Sequence, residues 1–467
     1  MDTESIPPGL FTLKYVEVLP DTHPCPDCGQ EARRNSTGTR TVQEPDLERP
    51  TFLLVRMSVC ECRNPACRRQ YFRVPLPFAA PRVHYRATAR QLCVASITRD
   101  GMPFCRVPER VADDFHLHPA TSTVWEWHRQ AGEALDLSTD YEPWVKAQFS
   151  GVLCIDEVYE GPLCLILSTD PLNDITVAYT LESKAEGEKR PQMNQEWLDR
   201  HLSVLQRIGI TPQVVMRDGA AVYDRGLPKD WEQARCTFHL SEDITADVLK
   251  AVNAYRKSLP DPPKRPRGRP PTDAPPPPPD VKAEIWQHRY LWVSRPETID
   301  AHARTCTNDT HRCFQHPEEK ILHDLCAAHP SLATARQCLE DIWALFADPD
   351  ASFETVKAQY ETLCAQSAYQ AIPALKKALQ RLEGETREKA CRFLAYENLP
   401  KTNNHVENQG RRFRKRQKSH YHLRRSSTID RAMKAELMRQ KARKQARGDP
   451  RVQLQPKGSG QTLPAAA

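Results

Sequence analysis

The spacing of hydrophobic residues changes along the chain, and these changes mark where strands and helices are expected. Three short apolar runs between residues 151 and 181 are separated by turn-forming residues, as in buried β-strands. Residues 195–208 carry apolar side chains at helical spacing, and a fourth apolar run follows at 212–216. Three consecutive strands, a crossover helix and a further strand predict an α/β fold here.

This order of elements is that of a ribonuclease-H-like core. Before it, two short helical patterns at 106–115 and 121–130 are separated by a turn, which predicts a helix-turn-helix. The alternative is an ordinary helical hairpin with Trp125 and Trp127 as core anchors. Residues 284–396 are predominantly helical and are expected to form an insertion.

Four cysteines near the start of the chain have metal-ligand spacing. Cys25 and Cys28 form a Cys-x2-Cys pair, and Cys62 and Cys67 form a Cys-x4-Cys pair after 33 intervening residues. Paired thiolates on two tight turns can hold a structural zinc ion, which needs four ligands. The pattern therefore predicts a zinc ribbon. Cys60 competes with Cys62 as a ligand, and four unrelated buried thiols remain an alternative.

Three carboxylates stand where they could hold metal ions. Asp156 ends the first apolar run, Asp218 follows the fourth, and Glu407 lies in Thr402-Asn-Asn-His-Val-Glu407. In the expected core, Asp156 and Asp218 would lie near each other on adjacent central strands. Carboxylates suit a pair of Mg²⁺ (or Mn²⁺) ions, which activate a water or hydroxyl and stabilise the leaving oxygen in phosphodiester chemistry. We therefore expect these three acids to be catalytic in cutting and joining DNA.

Each carboxylate also has a simpler explanation. Glu157 and Asp170 are alternatives to Asp156 as ligands. Asn404 followed by Glu407 three residues later makes a capping box, which would fix the Glu407 side chain whether or not it binds metal.

Positive charge is concentrated in one segment of this chain of net charge +6. Residues 411–448 contain fifteen Lys or Arg and two acidic residues, whereas the rest of the chain has 51 basic and 58 acidic residues. Concentrated positive charge suits a nucleic-acid contact, although a solvated basic tail is the alternative. The expected phosphate contacts are Arg411, Arg412, Arg414 and Lys415.

Further DNA contacts are expected outside this segment. On the second helix of the helix-turn-helix, Ser122, Thr123 and Arg129 are candidates for the outer face. Residues 260–280 contain eleven prolines and are expected to be a stiff spacer. Within them, Arg267 and Arg269 flank a glycine as in an AT-hook, which enters the minor groove; a basic linker without that role is the alternative.

Other features bear on metal content and compartment. The group His302, Cys306, His311, Cys313 and His316 suggests another metal site, but its spacing fits no template. The N-terminus lacks a signal-peptide pattern, no apolar run reaches membrane-spanning length, and the cysteines suit a reducing compartment. We expect a cytoplasmic, nucleoid-associated protein with no membrane contact.

Together these motifs resemble the bacterial insertion-sequence transposases of the DDE type that carry a zinc ribbon, a helix-turn-helix and a helical insertion. The resemblance spans roughly residues 20–440, and its most specific parts are Cys-Pro-x-Cys-Gly, Cys-x4-Cys and Asn-Asn-x-x-Glu. It implies that Asp156, Asp218 and Glu407 are the metal-binding triad. It also implies that Cys236-x-x-His239 matches a motif of these enzymes, in which His239 would arrange DNA or serve packing.

The resemblance implies a transposase that binds element ends in double-stranded DNA and forms a homo-oligomer to synapse two ends. The rivals are a non-catalytic, domesticated or decayed DNA-binding regulator and a ribonuclease or repair nuclease. The predicted domains are a zinc ribbon (20–80), a helix-turn-helix (84–135), the first part of the core (148–256), a Pro-rich basic linker (257–283), a helical insertion (284–396), a core closing helix with Glu407 (397–440) and a disordered tail (441–467).

Overall fold

The computed structural model describes residues 10–261, 280–293, 316–419 and 425–457. Two mixed β-sheets and many helices confirm the α/β class. The chain divides into two compact units. The first unit is Met1–Ala147 with Gln409–Asp449, and the second unit is Gln148–Asn408 with Pro450–Ala467.

The sheet of the first unit is built around one long strand, β4, on which alternate side chains are buried. β4 lies between β1, which runs parallel to it, and the antiparallel β3; β2 pairs with β3, and β5 pairs with β4. The bounds are Thr12–Val18 (β1), Thr22–Pro24 (β2), Glu31–Glu44 (β3), Thr51–Glu61 (β4) and Tyr71–Arg73 (β5).

Three helices of the first unit share one apolar core. They are Ala87–Thr98 (α1), Val107–Phe115 (α2) and Thr121–Glu133 (α3), so the two helices predicted with a turn between them are confirmed. Trp127 lies in the shared core, but Trp125 is exposed, so the interpretation of Trp125 as a core anchor is wrong. Two short helices follow, Leu137–Asp140 (α4) and Glu142–Gln148 (α5).

The sheet of the second unit has the order β10-β9-β6-β7-β8, with β6 in the middle. β6, β7 and β8 are antiparallel neighbours, whereas β9 runs parallel to β6 and β10 runs parallel to β9. The four predicted apolar runs are all strands. The bounds are Val152–Glu160 (β6), Leu163–Asp170 (β7), Ile175–Ser183 (β8), Val214–Arg217 (β9) and Glu232–Arg235 (β10).

The predicted crossover helix, Gln195–Ile208 (α6), joins β8 to β9. The Asn194 side chain accepts the backbone N–H of Trp197 at its start, and Gly209 ends it in the left-handed region at φ 80°. The other helices of the second unit are Ala221–Gly226 (α7), Thr237–Ser258 (α8), Val281–Gln287 (α9), His316–Ala328 (α10), Pro330–Ala344 (α11), Phe353–Ala365 (α12), Ser367–Gln370 (α13), Pro373–Gln380 (α14) and Glu385–Ala390 (α15).

Two helices cover the region that the sequence assigned to one closing helix and a disordered tail. They are Asn404–Ser419 (α16) and Ser426–Arg447 (α17), so the closing helix predicted over 397–440 is not a single element. The disorder predicted from residue 441 is wrong for residues 441–457. α17 continues to Arg447, and residues 450–457 add backbone hydrogen bonds to the second unit, such as Leu454 N–H to the Ser150 carbonyl at 3.0 Å.

Three predictions fall outside the residues that the structure describes. These are most of the stiff proline-rich spacer of residues 260–280, the AT-hook arginines Arg267 and Arg269 within it, and the side chains of His302, Cys306, His311, Cys313 and His316. Within the described ranges, the helices are too short or too polar to cross a bilayer.

Candidate metal and nucleic-acid sites

The four predicted zinc ligands meet in the first unit. Cys25 Sγ lies 3.7 Å from Cys67 Sγ, and Cys28 Sγ lies 3.6 Å from Cys62 Sγ. All four sulfurs lie within 4.8 Å of one another. A tetrahedral zinc with bonds of about 2.3 Å separates its sulfur ligands by about 3.8 Å, so the cluster could hold a zinc ion.

Local backbone turns hold these thiols in place. At the first pair, Gly29 N–H donates to the Cys25 carbonyl, and Cys25 N–H donates to the Gln30 carbonyl, both at 2.8 Å. A backbone hydrogen bond at Gln30 is also the main reason why the pKa of Cys28 is lowered to about 7, which favours the thiolate that metal binding requires. Cys60 is buried on β4 and is not one of the clustered thiols, which favours Cys62 as the ligand.

Two neighbouring strands of the second unit bring Asp156 and Asp218 together, although β6 continues to Glu160, so Asp156 lies within its strand and not at the end. β6 pairs with β9 in parallel, with Cys154 opposite Met216, so Asp156 lies level with the residue that follows β9, Asp218. The predicted placement on adjacent central strands is therefore confirmed. The Asp218 carboxylate also accepts the backbone N–H of Ala220 at 2.9 Å, which fixes the turn after β9.

A buried arginine supports this turn. Arg217 is 1% exposed, donates to the Asp218 carbonyl at 2.8 Å and forms an ion pair with Asp224. Its guanidinium also donates to the Gln233 side chain at 2.9 Å. A Cβ at Gly219 would lie 2.5 Å from the Arg235 guanidinium, so a larger residue here would displace the end of that side chain.

The start of α8 and the segment before α16 are tied together, and this places Glu407 beside His239. Thr237 N–H and Oγ1 both donate to the Lys401 carbonyl, at 3.0 and 2.9 Å. Asn403 N–H donates to the Cys236 sulfur at 3.2 Å, and the Asn403 amide donates to the Ile155 carbonyl of β6 at 3.1 Å. These bonds join the Glu407 helix to the strand that carries Asp156.

The predicted capping box differs from this arrangement. α16 begins at Asn404, so Asn404 is its first helical residue, and the residue before it is Asn403. The Asn403 side chain donates to β6 and does not cap the helix. Glu407 lies in the first turn of α16, and its Oε1 is 3.7 Å from His239 Nε2.

Two acids at this site have a raised proton affinity. Burial, with the negative charges of Asp218 and Glu407, raises the pKa of Asp156 to about 6. Burial, with the charges of Asp218 and Asp156, raises the pKa of Glu157 to about 7, although the Tyr223 hydroxyl donates to its carboxylate. Converging negative charge of this kind is relieved by a bound cation.

The acids are not the tightest group of potential ligands here. Among the described residues, Cys236, His239 and Glu407 have ligand atoms within 4.8 Å of one another, whereas Asp156, Asp218 and Glu407 do not form such a group. A pair of metal ions about 3.5 to 4 Å apart needs a wider ring of acids than one ion does.

Asp170, the second alternative to Asp156, has a structural role. Its carboxylate accepts Ser150 N–H and Oγ–H at 2.7 Å and Leu172 N–H at 2.9 Å, all in a fully buried position. These bonds satisfy both carboxylate oxygens, so Asp170 is poorly suited to bind a metal ion.

The predicted DNA contacts of α3 are unequal. Ser122 is exposed and Thr123 is half-buried, whereas Arg129 forms ion pairs with Glu126 at 2.6 Å and Glu133 at 2.5 Å. Within the first unit, α17 packs closely on α3, since a Cβ at Gly132 would lie 2.7 Å from the Arg431 Cβ. Ser122 and Thr123 thus fit a contact better than Arg129.

The basic residues of α16 present their side chains to solvent. Arg411, Arg412, Arg414 and Lys415 are all exposed, whereas Phe413 between them is buried. Four exposed cations along one helix can approach a polyanion from the solvent.

Sequence reasoning did not identify the residues that hold the acids in place. Arg217 and Asn403 have no motif of their own, because their roles depend on partners distant in the sequence. Cys236 was noted only as part of a Cys-x-x-His motif, and its spacing gave no sign of contact with Glu407.

Comparison with known proteins gives no family. Neither a scan against protein-family models nor a search of curated proteins finds a match to this chain. Function must therefore be inferred from the chain's own residues.

Proposed function

We propose that this protein is a DDE-type transposase, a metal-dependent enzyme that cuts and joins DNA at the ends of a mobile element. The observation that carries the proposal is the meeting of three acids from separate elements. Burial, Asp218 after β9 and Glu407 on α16 together raise the pKa of Asp156 on β6. Such clustered carboxylates are costly to bury without a cation, and divalent ions bound by oxygen ligands offset that cost.

The proposed catalytic fold is ribonuclease-H-like. The supporting observation is the strand order β10-β9-β6-β7-β8, with β6 central and α6 as the crossover to the parallel strand β9. In this topology Asp156 and Asp218 lie level with each other, because β6 and β9 are parallel neighbours with Cys154 opposite Met216.

Magnesium (or manganese) ions, when bound by the three acids, would supply activation of the attacking water or hydroxyl and stabilisation of the leaving oxygen. The protein's own residues keep the ligands in place. Arg217 fixes the backbone at Asp218, and Asn403 joins the start of α16 to β6. His239 is partly buried beside Glu407, where it could orient a phosphate group.

Recognition of the element ends is proposed for the first unit. Its four-thiol cluster would be the zinc ribbon, and α2 and α3 would be the helix-turn-helix, with Ser122 and Thr123 facing DNA. The exposed residues Arg411, Arg412, Arg414 and Lys415 would contact phosphates. A homo-oligomer is expected, because transposition joins two ends.

The experiment is a nicking assay on a supercoiled plasmid that carries the DNA flanking the gene. We expect magnesium-dependent nicking to fall by about three orders of magnitude in Asp156→Asn and Asp218→Asn, since each loses several kcal/mol of charge stabilisation. Glu407→Gln should behave likewise. Asp230→Asn, an exposed acid of the same unit, is the matched control and should keep wild-type activity.

Two outcomes would contradict the proposal. If the wild-type protein binds the flanking DNA but nicks nothing in magnesium or manganese, it is a DNA-binding regulator. If it cleaves without preference for the flanking sequence, and deletion of residues 10–140 changes nothing, it is a nuclease of the same fold.

A further inference from the structure

The start of α8 brings two soft ligands to the side of Glu407. Cys236 is the residue before α8 and His239 is in its first turn, so the two side chains lie on one face of the helix start. The ligand atoms of Cys236, His239 and Glu407 all lie within 4.8 Å of one another. Three such ligands with an open fourth position are the set that zinc takes in many proteins.

The geometry at these atoms is close to that of a bound ion. A tetrahedral zinc with bonds of about 2.0 to 2.3 Å separates its ligand atoms by about 3.3 to 3.8 Å. His239 Nε2 and Glu407 Oε1 are already 3.7 Å apart. The Cys236 sulfur is fully buried and accepts Asn403 N–H at 3.2 Å, a bond that also suits a metal-bound thiolate.

One buried atom of this group has an unmet need. His239 Nδ1 is buried and has no hydrogen-bond partner among the described residues. A buried polar nitrogen without a partner is costly, and an ion bound at Nδ1 itself would offset that cost, whereas an ion bound at Nε2 would only orient the ring.

We propose that Cys236, His239 and Glu407 form a second metal site, selective for thiophilic divalent cations such as zinc, and that an ion bound there inhibits the magnesium-dependent reaction. Magnesium prefers oxygen ligands and competes poorly at a thiolate and an imidazole. Glu407, once bound to zinc, is withdrawn from Asp156 and Asp218. The inhibitory half rests on the proposed function, whereas the binding half does not.

The binding half is tested by titrating the zinc-free full chain with cobalt(II) and following the thiolate-to-cobalt charge-transfer absorption. We expect Cys236→Ala to bind one equivalent fewer than wild type and to lose the matching part of the absorption. Cys338→Ala, which removes an equally buried thiol from α11, should bind as wild type does. The four-thiol cluster is counted separately with Cys25→Ser.

His239→Asn is the second variant, in case Cys236→Ala does not fold. It should weaken cobalt binding at this site at least about tenfold, because one of three protein ligands is lost. Wild-type stoichiometry and absorption in folded Cys236→Ala, or wild-type cobalt affinity at this site in folded His239→Asn, would overturn the site.

The inhibitory half is tested by titrating zinc into the magnesium-dependent nicking assay. Within each protein, the rate with zinc is divided by the rate without zinc. Half-inhibition should need at least tenfold more zinc in Cys236→Ala than in wild type or Cys338→Ala, and equal inhibition in all three would overturn this half. If no protein nicks DNA, the proposed function fails, while the cobalt titration still decides the site.

Discussion

The four-thiol cluster and the carboxylate site are held together in different ways. At the cluster, each pair of cysteines belongs to a turn of a few residues, and the turn is closed by its own backbone hydrogen bonds. At the carboxylate site, the ligands come from β6, the end of β9, the start of α8 and α16, which are far apart in sequence. Each cysteine turn of the four-thiol cluster can form from residues that are neighbours in the chain. The carboxylate site, formed by Asp156, Asp218 and Glu407, exists only when the whole unit has folded.

The largest expected effect is at the four-thiol cluster. Cys62→Ser should not bind zinc at the cluster, and strands β2 to β5 should become disordered. The reason is that structural zinc contributes on the order of 10 kcal/mol to the folding of small domains. Zinc content and hydrogen exchange over residues 22–73 measure this.

Cys60→Ala is the matched control for that variant, because Cys60 is equally buried in the same small core. It should keep one zinc at the cluster. If Cys62→Ser retains zinc and Cys60→Ala loses it, Cys60 is the ligand instead of Cys62. The four-thiol cluster would then be assigned wrongly.

A smaller effect is expected where the carboxylate site depends on long-range contacts. Arg217→Met should lower the free energy of unfolding of the second unit by about 3 kcal/mol, because the Asp218 carbonyl and the Gln233 side chain lose their buried donor and Asp224 keeps only Lys389. Asp224 is partly exposed, which limits the loss. Urea denaturation measures the change.

Arg225→Met is its control, since Arg225 is exposed on the neighbouring helix α7. We expect a change of at most about 0.5 kcal/mol there. If Arg217→Met costs no more than this control, the carboxylate site does not depend on the buried arginine.

The smallest effect concerns the helix packed on the sheet beneath the site. His201 of α6 is fully buried between Ser168 Oγ, at 2.6 Å, and Thr180 Oγ1, at 3.2 Å. Burial lowers the pKa of His201 to about 3, so the folded protein keeps the ring neutral. The unfolded chain takes up a proton near pH 6.5, and the folded state does not.

Stability from His201 is therefore complete above about pH 6.5 and falls as the pH drops towards 3, by about 1.4 kcal/mol per pH unit. His201→Gln should remove this part of the slope, as measured by urea denaturation between pH 6 and 4. The exposed His323 gives a control, and His323→Gln should keep the wild-type slope. An unchanged slope in His201→Gln would show that water reaches the His201 ring in the folded protein.

The two regions also differ in how far the sequence predicts them. The spacing of Cys25 and Cys28 is enough to predict a metal-binding turn, because the two ligands and the turn are neighbours in the chain. Asp156 and Asp218 were predicted because each follows a buried apolar run whose strand order could be inferred. The position of the Cys236 sulfur was not predicted, because it depends on a hydrogen bond from the N–H of Asn403, which is 167 residues away.

Other differences have the same physical origin. Arginine is a residue type typical of DNA contacts. The Arg129 guanidinium, however, is already paired with the carboxylates of Glu126 and Glu133, which lie one helical turn away on either side. Disorder was expected beyond residue 441 because the segment is polar, yet residues 450–457 are ordered by backbone bonds that require no hydrophobic pattern. Hydrophobic spacing predicts elements well and polar pairing poorly.

The second unit is completed by a segment that lies about 40 residues after the rest of it. Asn173 donates to the Val452 carbonyl and accepts its N–H, and the Ser150 carbonyl accepts Leu454 N–H. During synthesis on the ribosome, the sheet emerges before Val452 and Leu454 do. The hydrogen bonds of Ser150 and Asn173 to these residues can therefore form only after the rest of the unit has been made. Protein shortened before residue 450 would therefore lack part of its second unit, and expression or tagging strategies should preserve this segment.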